Sequence, residues 1–168
     1  IYALSIPDDD KASDAITHLS GLMRYVIKDA NDNKIPLLKE LDYITNYIEL
    51  QKARLGNTAH IYFDIFGDAG NKKITPLIFI TYIENAFKYG VNPDISDCVI
   101  KVRIDIADNS IRLYTFNKKV SSPNRTESTG IGLQNTNERL AHLYPMKYDL
   151  EIMDKEDSYS VILSITMT

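Results

Sequence analysis

The stretch that decides the fold is IENAFKYG, residues 83–90. It places a carboxylate, an amide, an ammonium and a phenol within one or two turns of a predicted helix. Asn85, Lys88 and Tyr89 fall at positions i, i+3 and i+4, so they share one face of that helix. An amide oxygen can ligate Mg²⁺, which takes few protein ligands, and a lysine one turn further can neutralise the phosphates that the ion binds. The pattern suits a nucleotide triphosphate, although an amphipathic helix with a polar outer face would also explain it.

A second stretch, STGIGL at residues 128–133, follows a polar loop and opens a helical pattern. Glycines just before a helix let backbone N–H groups point at a bound anion, and the helix N-terminus is electropositive. A lone Gly-x-Gly is weak support, but one that follows the first motif with strands between them is a stronger indication. The candidate phosphate-binding residues in this stretch are Thr129, Gly130, Ile131, Gly132 and Leu133.

Both stretches resemble motifs of one family. Residues 84–88 (ENAFK) resemble the N box of the GHKL ATPases, and residues 130–133 (GIGL) resemble their second glycine box. The chain resembles still more the LytS-like sensor histidine kinases of two-component systems. Residues 19–25 (LSGLMRY) and 40–51 (ELDYITNYIELQ) with Arg54 are similar to two helices of that family, and GLQN at 132–135 followed by Arg139-Leu140 is similar to a third motif. The resemblance covers nearly the whole chain.

The pattern along the chain predicts an α+β fold, in which a mixed sheet packs against helices on one face behind a helical appendage. The resemblance implies the same class, the two-layer α/β sandwich of the GHKL, or Bergerat, ATP-binding fold. It also implies that residues 1–33 are the remnant of a dimerisation and histidine-phosphotransfer hairpin and that 34–168 are the catalytic ATP-binding domain. Four helices are predicted: one from Asp8 with a single apolar seam, one from Pro36 to Gly56, one that is capped by Thr75 and runs from Pro76 to Gly90, and one from Leu133 to before Pro145. The predicted strands are one around Ile61–Ile65, a hairpin around Asp108-Asn109 and a hairpin around residues 155–157.

Composition and charge disfavour a nucleic-acid-binding or membrane-spanning protein. The chain has 168 residues and a net charge of −4, so no basic nucleic-acid footprint is expected. No apolar run approaches the roughly 20 residues of a membrane span. Cys98 is the single cysteine and lies in an apolar strand pattern, where a buried thiol is expected. The three histidines lack metal-ligand spacing. The opening at Ile1 reads as a cut from something longer.

The resemblance implies roles for individual residues. Asn85 would supply the Mg²⁺ ligand, Lys88 would steady the phosphates of ATP, and Tyr89 would lie nearby. Glu84 would position or deprotonate the incoming nucleophile or hold a Mg²⁺-bound water, and a solvated helix acid is the alternative. Asn117 stands where the family usually has the aspartate of an Asp-x-Gly-x-Gly box, which accepts a hydrogen bond from the adenine amino group. A neutral acceptor is weaker than an ionised one, so weaker ATP binding is expected.

The phosphate-accepting histidine of the family lies in a Pro-His-Phe segment, which in this register falls just upstream of Ile1. None of His18, His60 and His142 has that context. The chain is therefore predicted to be the catalytic region of a sensor histidine kinase, which binds Mg-ATP and phosphorylates a histidine on an upstream helix for relay to a response regulator. Residues 118–129 would form the ATP lid. Arg24 and Tyr25 would pack their apolar parts at the junction of the helix with the domain and keep their polar ends in water.

The resemblance also implies a setting for this chain. The full-length protein would be a homodimer in the bacterial inner membrane, with this part in the cytoplasm and without direct membrane contact. Two alternatives stay open: a degenerate GHKL-fold interaction module without kinase activity, and a GHKL ATPase or serine kinase. The missing Asp-x-Gly-x-Gly box motivates the first of them.

Overall fold

A computed structural model describes residues 9–92, 95, 97–120 and 131–167. Contacts divide the chain into two compact units, Ile1–Gly56 with Ala69–Leu77 and Asn57–Asp68 with Ile78–Thr168. In chain order the elements are α1 (Asp9–Lys28), β1 (Ile35–Pro36), α2 (Leu37–Leu55), a 3-10 helix (Gly56–Thr58), β2 (Ala59–Phe66), β3 (Lys73–Ile74), α3 (Ile80–Gly90), β4 (Cys98–Ile106), β5 (Ser110–Lys118), α4 (Ile131–Leu143), β6 (Tyr148–Asp154) and β7 (Ser158–Thr166). The functional boundary after residue 33 stays a prediction, because contacts group α2 with α1.

The first unit is a pair of packed helices with a small two-stranded sheet. The helices approach closely at Gly21, where an added Cβ would lie 2.9 Å from Nδ2 of Asn46. The same Asn46 bonds His18, whose Nδ1 lies 2.9 Å from the asparagine Oδ1. The seam predicted on α1 packs only in part. Ala12 and Ala15 are buried, while four seam residues are exposed, namely Ile16, Met23, Val26 and Ile27.

The helix α2 agrees with its predicted bounds. It begins after Pro36 and ends at Gly56, which adopts φ +52° and donates its N–H to the carbonyl of Lys52. Glycine adopts a positive φ without a Cβ clash, so it can end the helix without backbone strain. The antiparallel pairing of β1 with β3 was not predicted, because strands of two residues show no periodicity.

The second unit is built on a five-stranded mixed sheet in the order β2-β4-β5-β7-β6. β2 runs parallel to β4, and the other neighbours are antiparallel. One face of the sheet carries the buried side chains Ile100, Val102, Ile104, Ile111, Leu113, Val161, Leu163 and Ile165. The apolar faces of α3 and α4 are buried in the same unit, with Ile83, Phe87 and Leu140 almost inaccessible to solvent. The α+β fold class predicted from the sequence is confirmed.

The start of α3 differs from the prediction. The helix begins at Ile80, with Phe79 at its N-cap, and not at Pro76. Leu77 has φ +60°, a left-handed conformation that cannot belong to a right-handed helix. The turn over residues 76–79 therefore precedes the helix, and Thr75 cannot cap it. Both predicted hairpins, β4–β5 and β6–β7, are confirmed.

Candidate functional site

The helix α3 separates its residues by polarity. Tyr82, Ile83, Ala86 and Phe87 are buried against the sheet unit. The predicted site residues lie on the remaining surface, where Glu84 and Lys88 are exposed and Asn85 and Tyr89 are partly exposed. The Lys88 ammonium lies 5.3 Å from the centre of the Tyr89 ring. This face presents an amide oxygen and a cation to the outside of the helix, as the sequence pattern indicated.

Glu84 is exposed, yet neighbouring protein removes part of the water around its carboxylate. This partial burial raises the pKa of Glu84 above its ordinary value. A carboxylate with a raised pKa is a better proton acceptor at neutral pH than an ordinary surface glutamate. The arrangement therefore fits a group that orients or deprotonates a nucleophile.

We expect Glu84→Gln to change how the free energy of unfolding depends on pH. A raised pKa means that the folded state binds the Glu84 proton more tightly than the unfolded state does, so this group stabilises the fold as the pH falls from neutral towards the ordinary glutamate pKa. The parent should therefore gain stability on acidification relative to the glutamine variant. Urea unfolding at neutral and mildly acidic pH measures the difference, with Glu151→Gln on β6 as a control. Parallel pH profiles for the parent and Glu84→Gln would contradict the assignment.

Asn117 has the most informative environment of the predicted site residues. It lies within β5, pairs in register with Ile100 and Tyr159, and is completely buried. Its Nδ2 donates to the carbonyl of Lys118 at 3.0 Å. Its Oδ1 is buried and has no hydrogen-bond partner among the described residues. Leaving a buried acceptor unpaired costs about 1–3 kcal/mol, so this oxygen is suited to a donor that the described residues do not provide.

Gly90, the last residue of α3, lies directly against Asn117. An added Cβ at Gly90 would lie 2.6 Å from the Asn117 Cβ and 3.3 Å from Cγ1 of Ile100. Gly90 is not among the glycines with positive φ. A glycine is needed here for space and not for a left-handed backbone conformation.

The predicted phosphate-binding stretch continues into α4. Thr129 and Gly130 lie outside the described residues, and Ile131, Gly132 and Leu133 form the first turn of the helix. Gly132 is exposed, and an added Cβ there would meet no atom of the described residues within 4 Å. The helix therefore begins two residues earlier than predicted.

Two side-chain hydrogen bonds join α4 to α3. The Tyr82 hydroxyl donates to Oδ1 of Asn137 at 2.8 Å. The Thr136 hydroxyl lies 3.1 Å from the Thr81 hydroxyl and 2.9 Å from the carbonyl of Gly132. Burial raises the pKa of Tyr82, so its hydroxyl stays a donor. These residues hold the glycine-bearing helix against the helix of Asn85, and sequence reasoning missed them because their contacts link residues 55 apart.

Ion pairs and a backbone hydrogen bond hold residues 118–120, at the end of β5 and just after it. The Lys118 ammonium lies 2.7 Å from a carboxylate oxygen of Asp97, and that of Lys119 lies 2.5 Å from one of Asp154. Val120 donates its N–H to the carbonyl of Tyr89 at 3.3 Å. The first residues of the predicted lid therefore lie beside the end of α3. The rest of the predicted lid, residues 121–129, lies outside the described residues.

The single cysteine has ordinary surroundings. Cys98 is buried, accepts from the Asn92 N–H at 3.4 Å and donates to the Ile95 carbonyl at 3.3 Å. Within the described ranges, no cluster of three acidic, cysteine or histidine side chains could hold a metal. None of the helices in that part of the chain is long and apolar enough to cross a bilayer.

Comparison with known proteins finds similarity to sensor histidine kinases. A family model described as Histidine kinase matches residues 1–59. The sensor protein LytS of Oceanobacillus iheyensis is 25% identical over 170 residues, 93% of this chain and 29% of that protein. The sensor histidine kinase YpdA of Escherichia coli is 29% identical over 144 residues, 80% of this chain and 25% of that protein. The chain spans less than a third of the length of these curated relatives.

Solved structures support the fold. The catalytic domain of the histidine kinase ThkA matches with a TM-score of 0.55 at 14% identity, covering 79% of this chain and 95% of that domain. A structure of ThkA in complex with the response regulator protein TrrA matches with a TM-score of 0.53 at 13% identity, covering 91% of this chain and 48% of that chain. At these identities the likeness shows the shared fold of histidine kinase catalytic domains.

Proposed function

We propose that this chain, a homologue of the LytS-like sensor histidine kinases with the fold of their catalytic domain, binds Mg-ATP and passes the γ-phosphoryl group to a histidine. The observation that carries the proposal is the buried Oδ1 of Asn117, which has no donor among the described residues and lies beside the end of the helix that bears Asn85.

The orientation of the Asn117 amide favours adenine. Its Nδ2 is engaged by the Lys118 carbonyl, which leaves Oδ1 as the free atom. An acceptor pairs with the exocyclic amino group of adenine, whereas guanine has a carbonyl oxygen at the equivalent ring position. Two facing acceptors repel, so the site should prefer ATP to GTP.

The donor set on α3 fits a magnesium site of the kind that keeps several waters and substrate phosphates. Mg²⁺ needs one or two protein oxygens, and the partly exposed amide of Asn85 can supply one. When bound, Mg²⁺ would neutralise charge on the transferring phosphoryl group. Lys88 would hold phosphate oxygens as a point charge, and Glu84 would orient the attacking nitrogen. The first turn of α4, with Gly132 and Leu133, would offer backbone N–H groups to the phosphates, together with Thr129, Gly130 and Ile131.

We propose that the acceptor is a histidine on a helix upstream of residue 1, and that a response regulator then receives the phosphoryl group on an aspartate. His18 is a poor acceptor because it is engaged with Asn46 between two helices. The complex of ThkA with a response regulator supports a partner of this class. We further propose that the full-length protein is a homodimeric inner-membrane sensor with this part in the cytoplasm.

Calorimetric titration with ATP, with and without Mg²⁺, tests the binding step. Magnesium-dependent binding is expected, and GTP should bind more weakly than ATP. Failure to bind either nucleotide would favour the non-catalytic interaction module. Steady phosphate release without any histidine acceptor would favour the ATPase. Acid-labile labelling from γ-labelled ATP, in a chain that also carries the upstream histidine, tests the transfer step.

We expect Asn117→Asp to tighten ATP binding and Asn117→Leu to weaken it. An ionised acceptor bonds the adenine amino group roughly twice as strongly as a neutral one, whereas leucine offers no acceptor. The leucine variant should also lose part of its preference for ATP over GTP. Affinities of both nucleotides for the parent and the two variants measure this, with circular dichroism as the check on folding. If all three proteins bind alike, Asn117 does not contact the base.

A further inference from the structure

The contact between α3 and α4 contains four polar side chains, although part of it is shielded from water. Tyr82 and Thr136 are buried, and Thr81 and Asn137 are partly exposed. All four residues belong to the second compact unit. A buried polar group costs stability unless it is hydrogen-bonded, so apolar side chains would join the two helices at least as well if adhesion were the only requirement.

These side chains lie one turn away from both parts of the proposed phosphate site. On α3, Asn85 follows Thr81 by four residues and Tyr82 by three, so it lies one turn beyond their contact with α4. On α4, Thr136 follows Gly132 by four residues, and its hydroxyl donates to the Gly132 carbonyl at 2.9 Å. The same hydroxyl lies 3.1 Å from that of Thr81. Hydrogen bonds therefore run from α3 to the backbone of the first turn of α4.

A hydrogen bond fixes the relative position of two helices more narrowly than an apolar contact does. Two hydroxyl or carbonyl oxygens must lie within about 2.5–3.0 Å of each other in a suitable direction, whereas apolar side chains can repack after a small shift. In coiled coils, one buried polar residue can specify the register of two helices for this reason. The bond from Tyr82 to Asn137, at 2.8 Å, can restrict how α4 slides or turns against α3 in the same way.

We infer that Thr81, Tyr82, Thr136 and Asn137 are positioning residues that hold the first turn of α4 at a fixed distance from Asn85. The inference rests on the proposed function and deepens it, because it states what sets the affinity of that site for the phosphate chain. Phosphates that contact both a metal ion at Asn85 and backbone N–H groups of α4 require one spacing of the two helices. Affinity for the phosphate chain therefore depends on these four side chains.

Recognition of the base does not depend on this junction. Asn117 lies on β5 and is in contact with Gly90, which is eight residues beyond Tyr82 and so about two turns further along α3. A small displacement of α4 leaves the sheet and that end of α3 in place. Loosening the junction should therefore weaken the binding of ATP, which carries three phosphates, and spare that of AMP, which carries one.

The first test is Tyr82→Phe, which deletes the donor to Asn137 and keeps the buried ring. Calorimetry measures the affinity for Mg-ATP, and NMR titration measures the affinity for AMP. The ATP affinity should fall about three- to tenfold, within the range for residues that couple to a site without touching the ligand, and the AMP affinity should change by less than about twofold. Asn137→Ala should give a similar loss. Combining it with Tyr82→Phe should weaken ATP binding little further, because both changes break one hydrogen bond.

The control for a general loss of stability is Ile111→Val. Ile111 is fully buried on β5, at the opposite end of that strand from Asn117. Its truncation leaves a small cavity and destabilises the fold without breaking a hydrogen bond. Urea unfolding compares the stability of this variant with that of Tyr82→Phe. Ile111→Val should leave the affinities for ATP and AMP, and their ratio, unchanged.

A second pair of variants addresses the Thr136 hydroxyl and does not depend on whether Tyr82→Phe folds. Thr136→Val removes the hydroxyl and keeps the shape of the side chain, so it should lower the affinity for ATP relative to that for AMP. Thr136→Ser keeps the hydroxyl and should bind both nucleotides like the parent. Rescue by serine would show that the hydrogen bond, and not the volume of the side chain, holds α4.

Two outcomes would overturn the inference while the proposed function stands. One is an equal loss of ATP and AMP affinity in Tyr82→Phe, which is the result expected from general destabilisation. The other is unchanged ATP affinity in folded Tyr82→Phe and Thr136→Val. A parent protein that binds neither nucleotide would reject the proposed function itself, and the inference with it.

Discussion

Replacing Asn85 with alanine should remove most of the magnesium-dependent part of ATP affinity and leave the fold intact. The side chain is partly exposed on α3, so its truncation should change the free energy of unfolding by no more than about 0.5 kcal/mol. The proposed amide ligand for Mg²⁺ would be lost, and the phosphates would keep only Lys88 and the backbone N–H groups of α4. Calorimetry with and without Mg²⁺, together with urea unfolding, measures the two effects separately.

The control for this prediction is Asn109→Ala. Asn109 is an exposed asparagine in the turn between β4 and β5, and its truncation should leave nucleotide binding unchanged. Unaltered Mg-ATP affinity in folded Asn85→Ala would remove the metal role from this residue. A loss of affinity that is equal with and without Mg²⁺ would indicate contact with the nucleotide itself.

Gly90→Ala should destabilise the protein and abolish most ATP binding. In an ordinary helix this change stabilises by roughly 0.5–1 kcal/mol, because alanine loses less conformational entropy. Here the new Cβ would lie 2.6 Å from the Cβ of buried Asn117, which cannot move without shifting β5. Overpacking of this kind costs about 1–3 kcal/mol, which outweighs the helix term. The displacement should also misplace the acceptor proposed for adenine.

Gly132→Ala is the matched control for stability. An added Cβ there meets no atom within 4 Å in the part of the chain that the structure describes, so the free energy of unfolding should stay level or rise slightly. Urea unfolding of both variants and ATP titration of Gly90→Ala test the prediction. A Gly90→Ala protein as stable as the parent, with full ATP affinity, would show that the contact with Asn117 relaxes freely.

Local patterns predicted most of the fold because they need only neighbours in sequence. The alternation along β4 and β5, the 3.6-residue periodicity of α2 and the stop at Gly56 all appear in the structure. The helix of Asn85 was recognised from its polar face, but its start was misplaced. Proline is favoured at the first position of a helix, which is why Pro76 was taken as the start. Nothing in the local sequence shows that Leu77 adopts a left-handed conformation, with its N–H bonded to Glu40, 37 residues away.

The candidate site, like the fold, could be predicted from the sequence only in part. The sequence by itself determined which residue types lie one turn apart on α3, and hence the proposed roles of Asn85 and Lys88, because helix geometry alone places them on one face. Only the tertiary structure decided that Asn117 is buried with an oxygen that has no partner among the described residues, and that Gly90 leaves space for its side chain. It also decided that the Tyr25 hydroxyl and the Leu77 N–H both donate to Glu40. These features depend on close contacts between distant segments. The burial that makes an unpaired acceptor or a paired carboxylate matter arises only when those segments pack.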